Sequence, residues 1–419
     1  MNMIFFDLPE VRNALKPFTL TRPVADLRVG IFTLQEKWLK RWKGAHKTGD
    51  SPSYLTEAYL QDKFPLTIAS EPVIINAAVC ATQDVVEQTA ALAPGQQLVH
   101  ADGWMAARLT AEDTHSLARF LAKRGDYERE ARDVQRLITD YTPVSSSTAV
   151  TFITHSWDIF HKNAEQIEQD YALVTYQRRS QPIGDPYTRL YGAEQIFVEE
   201  GATIRAAIIN AESGPVYIGK NATIHENAVI KGPFALLEEA HVNIGGKIRE
   251  GTTIGPYCKV GGEVKNTVFY ANSNKGHEGF VGNSVIGEWC NFGADSNTSN
   301  LKNNYQFVRL WQYGSRSYED TGLQFCGLMM GDHSKCSINT MFNTGTVVGV
   351  FANIVGVGFP SKFIPSFTWG AIQESPPYRF EKAIEVFERV LARKNTLLPA
   401  TDSAILQHIF EQRNSELPK

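Results

Sequence analysis

Cysteine is scarce in this chain of 419 residues: there are five (Cys80, Cys258, Cys290, Cys326, Cys336), an odd number without a CxxC pair. That scatter excludes a disulfide framework or a cysteine-built zinc site and leaves reduced thiols acting as small core residues. Long hydrophobic runs are missing too. No stretch of about 18 apolar residues occurs, and the start MNMIFF is too short, with no basic segment before it, for a signal peptide. No membrane partner and a cytoplasmic location are therefore expected. Positive charge is not in excess: 41 Lys+Arg stand against 45 Asp+Glu, a formal net charge of −4, so no nucleic-acid partner is expected. Hydrophobic residues at 43% and charged residues at 21% are ordinary for a globular protein, and the length calls for two or three domains.

What is present is a period of six. Ile218, Ile224, Ile230, Leu236, Val242, Ile248, Ile254 and Val260 follow one another at that interval, which neither a helix nor a lone strand produces. It predicts a left-handed parallel β-helix (hexapeptide repeat), a triangular coil with one aliphatic side chain per face turned to the axis. Ala222, Ala228, Ala240, Gly246 and Thr252 are small enough for the corners. A weaker copy precedes at Val198 and Ile204; the period resumes at Ile286, Phe292 and Thr298, then at Met330, Cys336, Phe342, Val348 and Ile354. Residues 299–325 break it with six aromatics and read as a loop thrown out from one coil, an aromatic content that argues against a disordered insertion.

Three domains follow: an α/β nucleotidyltransferase-like domain over 1–190, the β-helix over 191–372 and a C-terminal helical cap over 373–419. In the first, MNMIFFD and EPVIINAAV read as strands and GIFTLQEKWLKRW as an amphipathic helix. In the last, Ala383, Val386, Phe387, Val390 and Leu391 form a helical stripe, DSAILQHIFEQR suggests a second helix, and both are expected to close the open end of the solenoid.

Within the β-helix, NSNKGHEGFVG from Asn272 interrupts the apolar rhythm with a polar patch. A coil has no cavity of its own, so a site is expected in a groove between subunits, which points to a homotrimer. His277 is either a general base for an attacking amine or hydroxyl, imidazole having an ordinary pKa of about 6.5, or a surface residue. Lys265 and Lys275 are candidates to hold a phosphate or a carbonyl oxygen, Asn291 and Asn300 to bind sugar hydroxyls or an amide, and Gly276 and Gly279 to let a substrate near the backbone. The HxxxxH spacing of a γ-class carbonic anhydrase is absent, and His225 and His241 fall on other coils than His277.

The intervals resemble those of the bifunctional N-acetylglucosamine-1-phosphate uridyltransferase / glucosamine-1-phosphate N-acetyltransferase family. Lys265 stands twelve residues before His277 of NKGH, Asn291 fourteen after it and Asn300 twenty-three after it, as in that family. The resemblance implies a sugar-phosphate acetyltransferase using acetyl-coenzyme A and an amino sugar 1-phosphate, coupled to sugar-1-phosphate nucleotidyl transfer from UTP or dTTP. By it His277 is the base, Lys265 contacts the sugar phosphate, Asn291 the acceptor and acyl group, and Asn300 the sugar, while Arg249 of IREG is the counterpart of the family's upstream substrate-binding arginine. The family's tyrosine three after the histidine is Phe280 here. Acetyl-coenzyme A is expected along the coils of 343–362, with Gly349 permitting close approach and Lys362 meeting a phosphate; the alternative is that these glycines only make corners.

The first domain departs from the family at the phosphate loop, since the strand MIFFD is followed by no glycine until Gly30. LTRPVADLRVGIFTLQEKW instead resembles a divergent sugar nucleotidyltransferase-like group. That resemblance implies Arg22 and Lys37 as phosphate contacts and Asp158 as a Mg2+ ligand, against the alternatives that the arginine pairs with acids and that Asp158 caps a helix. A catalytically degenerate sugar-nucleotide binding or regulatory protein retaining the fold is the other reading of the whole chain.

Overall fold

The computed structural model describes residues 2–42, 52–121, 125–370 and 375–417. They form two compact units, one of Met1–Leu15, Thr21–Leu27 and Phe32–His155, the other of Lys16–Leu20, Arg28–Ile31 and Ser156–Lys419. By contact, then, residues 156–190 go with the solenoid rather than with the first domain. The expected boundary at 372 lies outside the described residues.

The first unit is α/β. Its six-stranded sheet runs Ser53–Leu55, Met3–Phe6, Val73–Asn76, Gly103–Arg108, Gln96–His100, Thr142–Ser145. The first three strands are parallel, while Gly103–Arg108 is antiparallel to both neighbours. Met3–Phe6 is apolar and buried at every position, as a central strand covered on both faces requires. The helix Leu34–Arg41 starts later than its apolar run because Thr33 and Glu36 close a capping box there, satisfying two otherwise orphaned N–H groups.

The second unit is a parallel β-solenoid followed by helices. On its first face, Ile196–Val198, Val216–Ile218, Phe234–Leu236 and Thr252–Ile254 stack in register. A second face stacks Thr203–Ile204, Thr223–Ile224, His241–Val242, Lys259–Val260 and Asn274–Lys275. A third stacks Ile208–Asn210, Val229–Lys231 and Lys247–Ile248 against the start of Glu263–Phe269. All eight residues of the longest six-residue series lie on the axis, at most 1% exposed, and Ala222, Ala228, Ala240 and Thr252 are buried at corners.

The period shifts where corners shorten. Glu263–Phe269 and Phe280–Ile286 each cross from the third face to the first as one seven-residue strand. Asn266 and Asn283 make these turns at φ 45° and 50°, a left-handed conformation that asparagine tolerates better than most residues. Axial spacing drops there from six to five, as from Val264 to Phe269 and from Val281 to Ile286.

Residues 299–325 are an ordered excursion. Arg309–Gln312 and Ser317–Asp320 pair as an antiparallel hairpin, and Trp311 stacks on Phe363 of a later coil at 4.4 Å. The helix Phe380–Ala392 does not close the end of the solenoid but lies along one corner. There Trp289, His333, Phe351 and Phe367 stand at successive positive-φ positions, and Phe387 meets the rings of the first three. The helix Ala400–Gln412 adds Phe410 against Phe367. All five cysteines are buried.

Candidate functional site

His277 sits on the loop from the second face to the third and is exposed; among the described residues none hydrogen-bonds its ring. Its loop is held from several sides. Lys275 occupies the axial column below Val260, and its ammonium donates to the carbonyls of His277 at 2.5 Å and Glu278 at 3.1 Å. Asn243 Nδ2 donates to the Gly276 carbonyl at 2.9 Å, and Lys247 pairs with Glu278 at 3.2 Å. The expectation that Lys275 holds a substrate phosphate is therefore corrected: it is 2% exposed and faces the axis, where burial lowers its pKa to about 8. Gly276 and Gly279 are needed for stacking rather than substrate approach. A Cβ on Gly279 would stand 2.1 Å from the Ser296 carbonyl oxygen, and one on Gly276 2.9 Å from Asn243 Nδ2.

Arg249 and Lys265 lie on the third face with compensated charges. Arg249 reaches Glu263 at 3.4 Å and Glu250 at 3.7 Å, and Lys265 reaches Glu250 at 3.4 Å. Pairs this exposed are worth about 0–1 kcal/mol, which an incoming dianion can outcompete. Lys265, Asn266 and Asn283 line a cavity of about 440 Å³ whose far wall is Phe307 and Phe325 of the excursion. Asn300 joins it through Asn283, donating from Nδ2 to Oδ1 at 2.8 Å. The sequence reading missed Asn266 and Asn283, though the five-residue steps flanking them were the signal. Asn291 stands on the second face, bonded to Asn274 at 3.0 Å and lining a different cavity. Within one chain, then, Lys265 and Asn300 come together, while His277 and Asn291 stand apart from them.

Gly349 does not offer an open approach to a coenzyme, because a Cβ there would meet Ser366 N at 2.4 Å; it makes a corner. Lys362 lies 5.9 Å over the Tyr318 ring, its pKa lowered by burial and by nearby Lys302 and Arg309. That cluster of cations suits a phosphate.

In the first unit the turn after Met3–Phe6 is filled by protein. Arg12, 2% exposed, donates to Asp7 at 3.1 Å, to the Arg22 carbonyl and Thr56 at 3.2 Å and to Tyr59 at 3.0 Å. Burial raises the Asp7 pKa against the opposing pull of Arg12. Arg22 is 5% exposed, with Asp26 at 3.8 Å, and Lys37 is fully buried, so neither is presented to a phosphate as expected. Asp158 opens the short helix Asp158–His161 and belongs to the second unit. Among the described residues no group of three or more His, Cys, Asp or Glu side chains gathers to hold a metal by itself.

The mixed sheet and the coils define the class of protein to compare with. Residues 3–179, less than half of the chain, match the family model described as sugar nucleotidyl transferase. More particularly, the chain is 28% identical over 172 residues to an uncharacterized acetyltransferase, YaiX, of Escherichia coli O6:K15:H31, covering 40% of this chain and 73% of that one. It is 28% identical over 161 residues to the bifunctional protein GlmU of Wigglesworthia glossinidia brevipalpis, covering 37% and 29%. With a bifunctional sugar-1-phosphate nucleotidylyltransferase/acetyltransferase of Sulfurisphaera tokodaii it shares 30% over 151 residues, 31% and 37%. The chain thus spans well under half the length of the two bifunctional relatives. These similarities support a transferase of the sugar nucleotidyltransferase and acetyltransferase kind. Among the described residues no helix is long and apolar enough to cross a membrane.

Proposed function

We propose that the solenoid transfers an acetyl group from acetyl-coenzyme A to the amine of an amino sugar 1-phosphate, with His277 as general base. The observation that carries this reading is an exposed imidazole on a loop pinned by Lys275, Asn243 and Lys247. The coenzyme supplies an activated thioester. His277 takes a proton from the amine as its nitrogen attacks the thioester carbonyl; the C–N bond forms, the C–S bond breaks, and the thiolate leaves to be protonated. Lys265, freed from Glu250, would meet the sugar phosphate, with Arg249 beside it and Asn300 orienting the sugar. Lys362, Lys302 and Arg309 would hold a coenzyme phosphate. A homotrimer is part of the proposal, since only a neighbouring protomer would close the groove beside His277.

For the first unit the family match supports sugar nucleotidyl transfer, and the proposed reaction takes UTP or dTTP as donor and a sugar 1-phosphate as acceptor. A second reading, nucleotide binding without turnover, is favoured by the Asp7–Arg12 pair and by the burial of Lys37. Two assays separate these claims. Free-thiol release with acetyl-coenzyme A and a panel of amino sugar 1-phosphates should occur in the wild type and be lost in His277→Ala; retained release removes the base assignment. Pyrophosphate release from UTP or dTTP with sugar 1-phosphates tests the first unit, and its absence leaves binding alone.

A further inference from the structure

Where the C-terminal end of the helix Phe380–Ala392 meets the second face of the solenoid, a cavity of about 600 Å³ opens. Four cations line it, Lys259, Lys335, Arg393 and Lys394, and among the described residues no carboxylate does. Four of its residues come from one outward ladder: Lys259 pairs with Asn274, Asn274 with Asn291, and Asn291 with Lys335. The ladder thus sets two amides between two lysines, with coils stacked at about 4.8 Å. Lys394 projects from beyond the helix, 4.6 Å over the Tyr257 ring and 5.0 Å over Trp289.

Holding four like charges together costs energy unless something negative joins them. The carbonyl end of the helix supplies only about half a negative charge, far short of four positive ones. The Lys335 ammonium donates to the His333 carbonyl at 2.9 Å and lies 5.3 Å over the Phe351 ring, neither of which neutralises it. The Lys394 ammonium hydrogen-bonds neutral Asn272.

We infer that this cavity is a binding site for a small anion bearing a diphosphate group, its oxygens meeting the lysines and the amides of Asn274 and Asn291. The site stands independently of the transferase reading and of His277.

Calorimetric titration of the full chain with pyrophosphate, ADP and adenosine tests it. Pyrophosphate and ADP should bind saturably, more weakly as salt rises from about 0.05 to about 0.2 M, and adenosine should not. The double variant K259Q/K394Q, altered at two exposed positions, should lose at least tenfold in affinity, while H277A should bind as the wild type does. The inference is overturned if neither phosphate binds, if adenosine binds as well as ADP, or if the double variant keeps wild-type affinity, which would move pyrophosphate to the first unit. Loss of acetyl transfer in H277A bears only on the transferase reading.

Discussion

A single lysine at the axis shows how much one residue decides. In the column Ile224, Val242, Val260, Lys275, Phe292, Cys336, Ile354, the charged member is tolerated because two carbonyls of the His277 loop accept its hydrogen bonds. Burial holds its pKa at about 8, below lysine's ordinary 10.5. Between those values the unfolded chain binds more protons than the folded one, so this group adds stability as pH rises from about 8 to 10.5. Lys275→Met removes the titration. The variant should melt higher than wild type near pH 7, with the gap closing toward pH 10; a constant gap would contradict the buried ammonium. The same variant loosens the loop, so its acetylation kcat should fall even though its fold is more stable. His277→Ala should lower kcat by about 10²–10⁴, the usual contribution of a general base, as read by thiol release.

At the level of elements, the helix Phe380–Ala392 depends on Phe387, 5% exposed and set edge-on to Trp289 and His333. Phe387→Ala should cost about 3–5 kcal/mol and open the helix to limited proteolysis before the solenoid melts; unchanged protease resistance would rule out this attachment. The end of the chain carries a second device. Glu416 is buried and accepts hydrogen bonds from Ser366 N and Oγ, both at 2.8 Å. Burial lifts its pKa from 4.5 to about 7, with Lys16 pulling the other way. Its contribution to stability is therefore complete below about pH 4.5 and is lost as pH rises toward 7. Glu416→Gln should flatten that part of the melting profile, and an unaltered profile would reject the assignment.

For the molecule as a whole, the proposed homotrimer is checked by sedimentation equilibrium: three chains are expected, and a monomer that still acetylates would place the groove within one protomer. Much of this architecture was legible. The interior of a coil admits one apolar side chain per face, so a six-residue period translates directly into the stacked faces from Ile218 to Val260. The excursion at 299–325 was legible as a break in that period. The candidate site was less so. Spacing told which residues share the NKGH segment but not which way each points, and Lys275 and Lys265 look alike until the axis is located. Arg22 and Lys37 read as free cations because burial leaves no mark on a residue's letter.

The order of amino acids by itself determined the solenoid and its rhythm, because axial contacts recur at short range and impose a local rule on the chain. Only tertiary structure decided the rest: that the helix Phe380–Ala392 lies along an aromatic corner instead of over the end, that Arg12 fills the turn after the first strand, and that Lys259, Lys335 and Lys394 share one cavity. Those outcomes depend on groups far apart in the chain competing for the same space and charge, which no local pattern encodes.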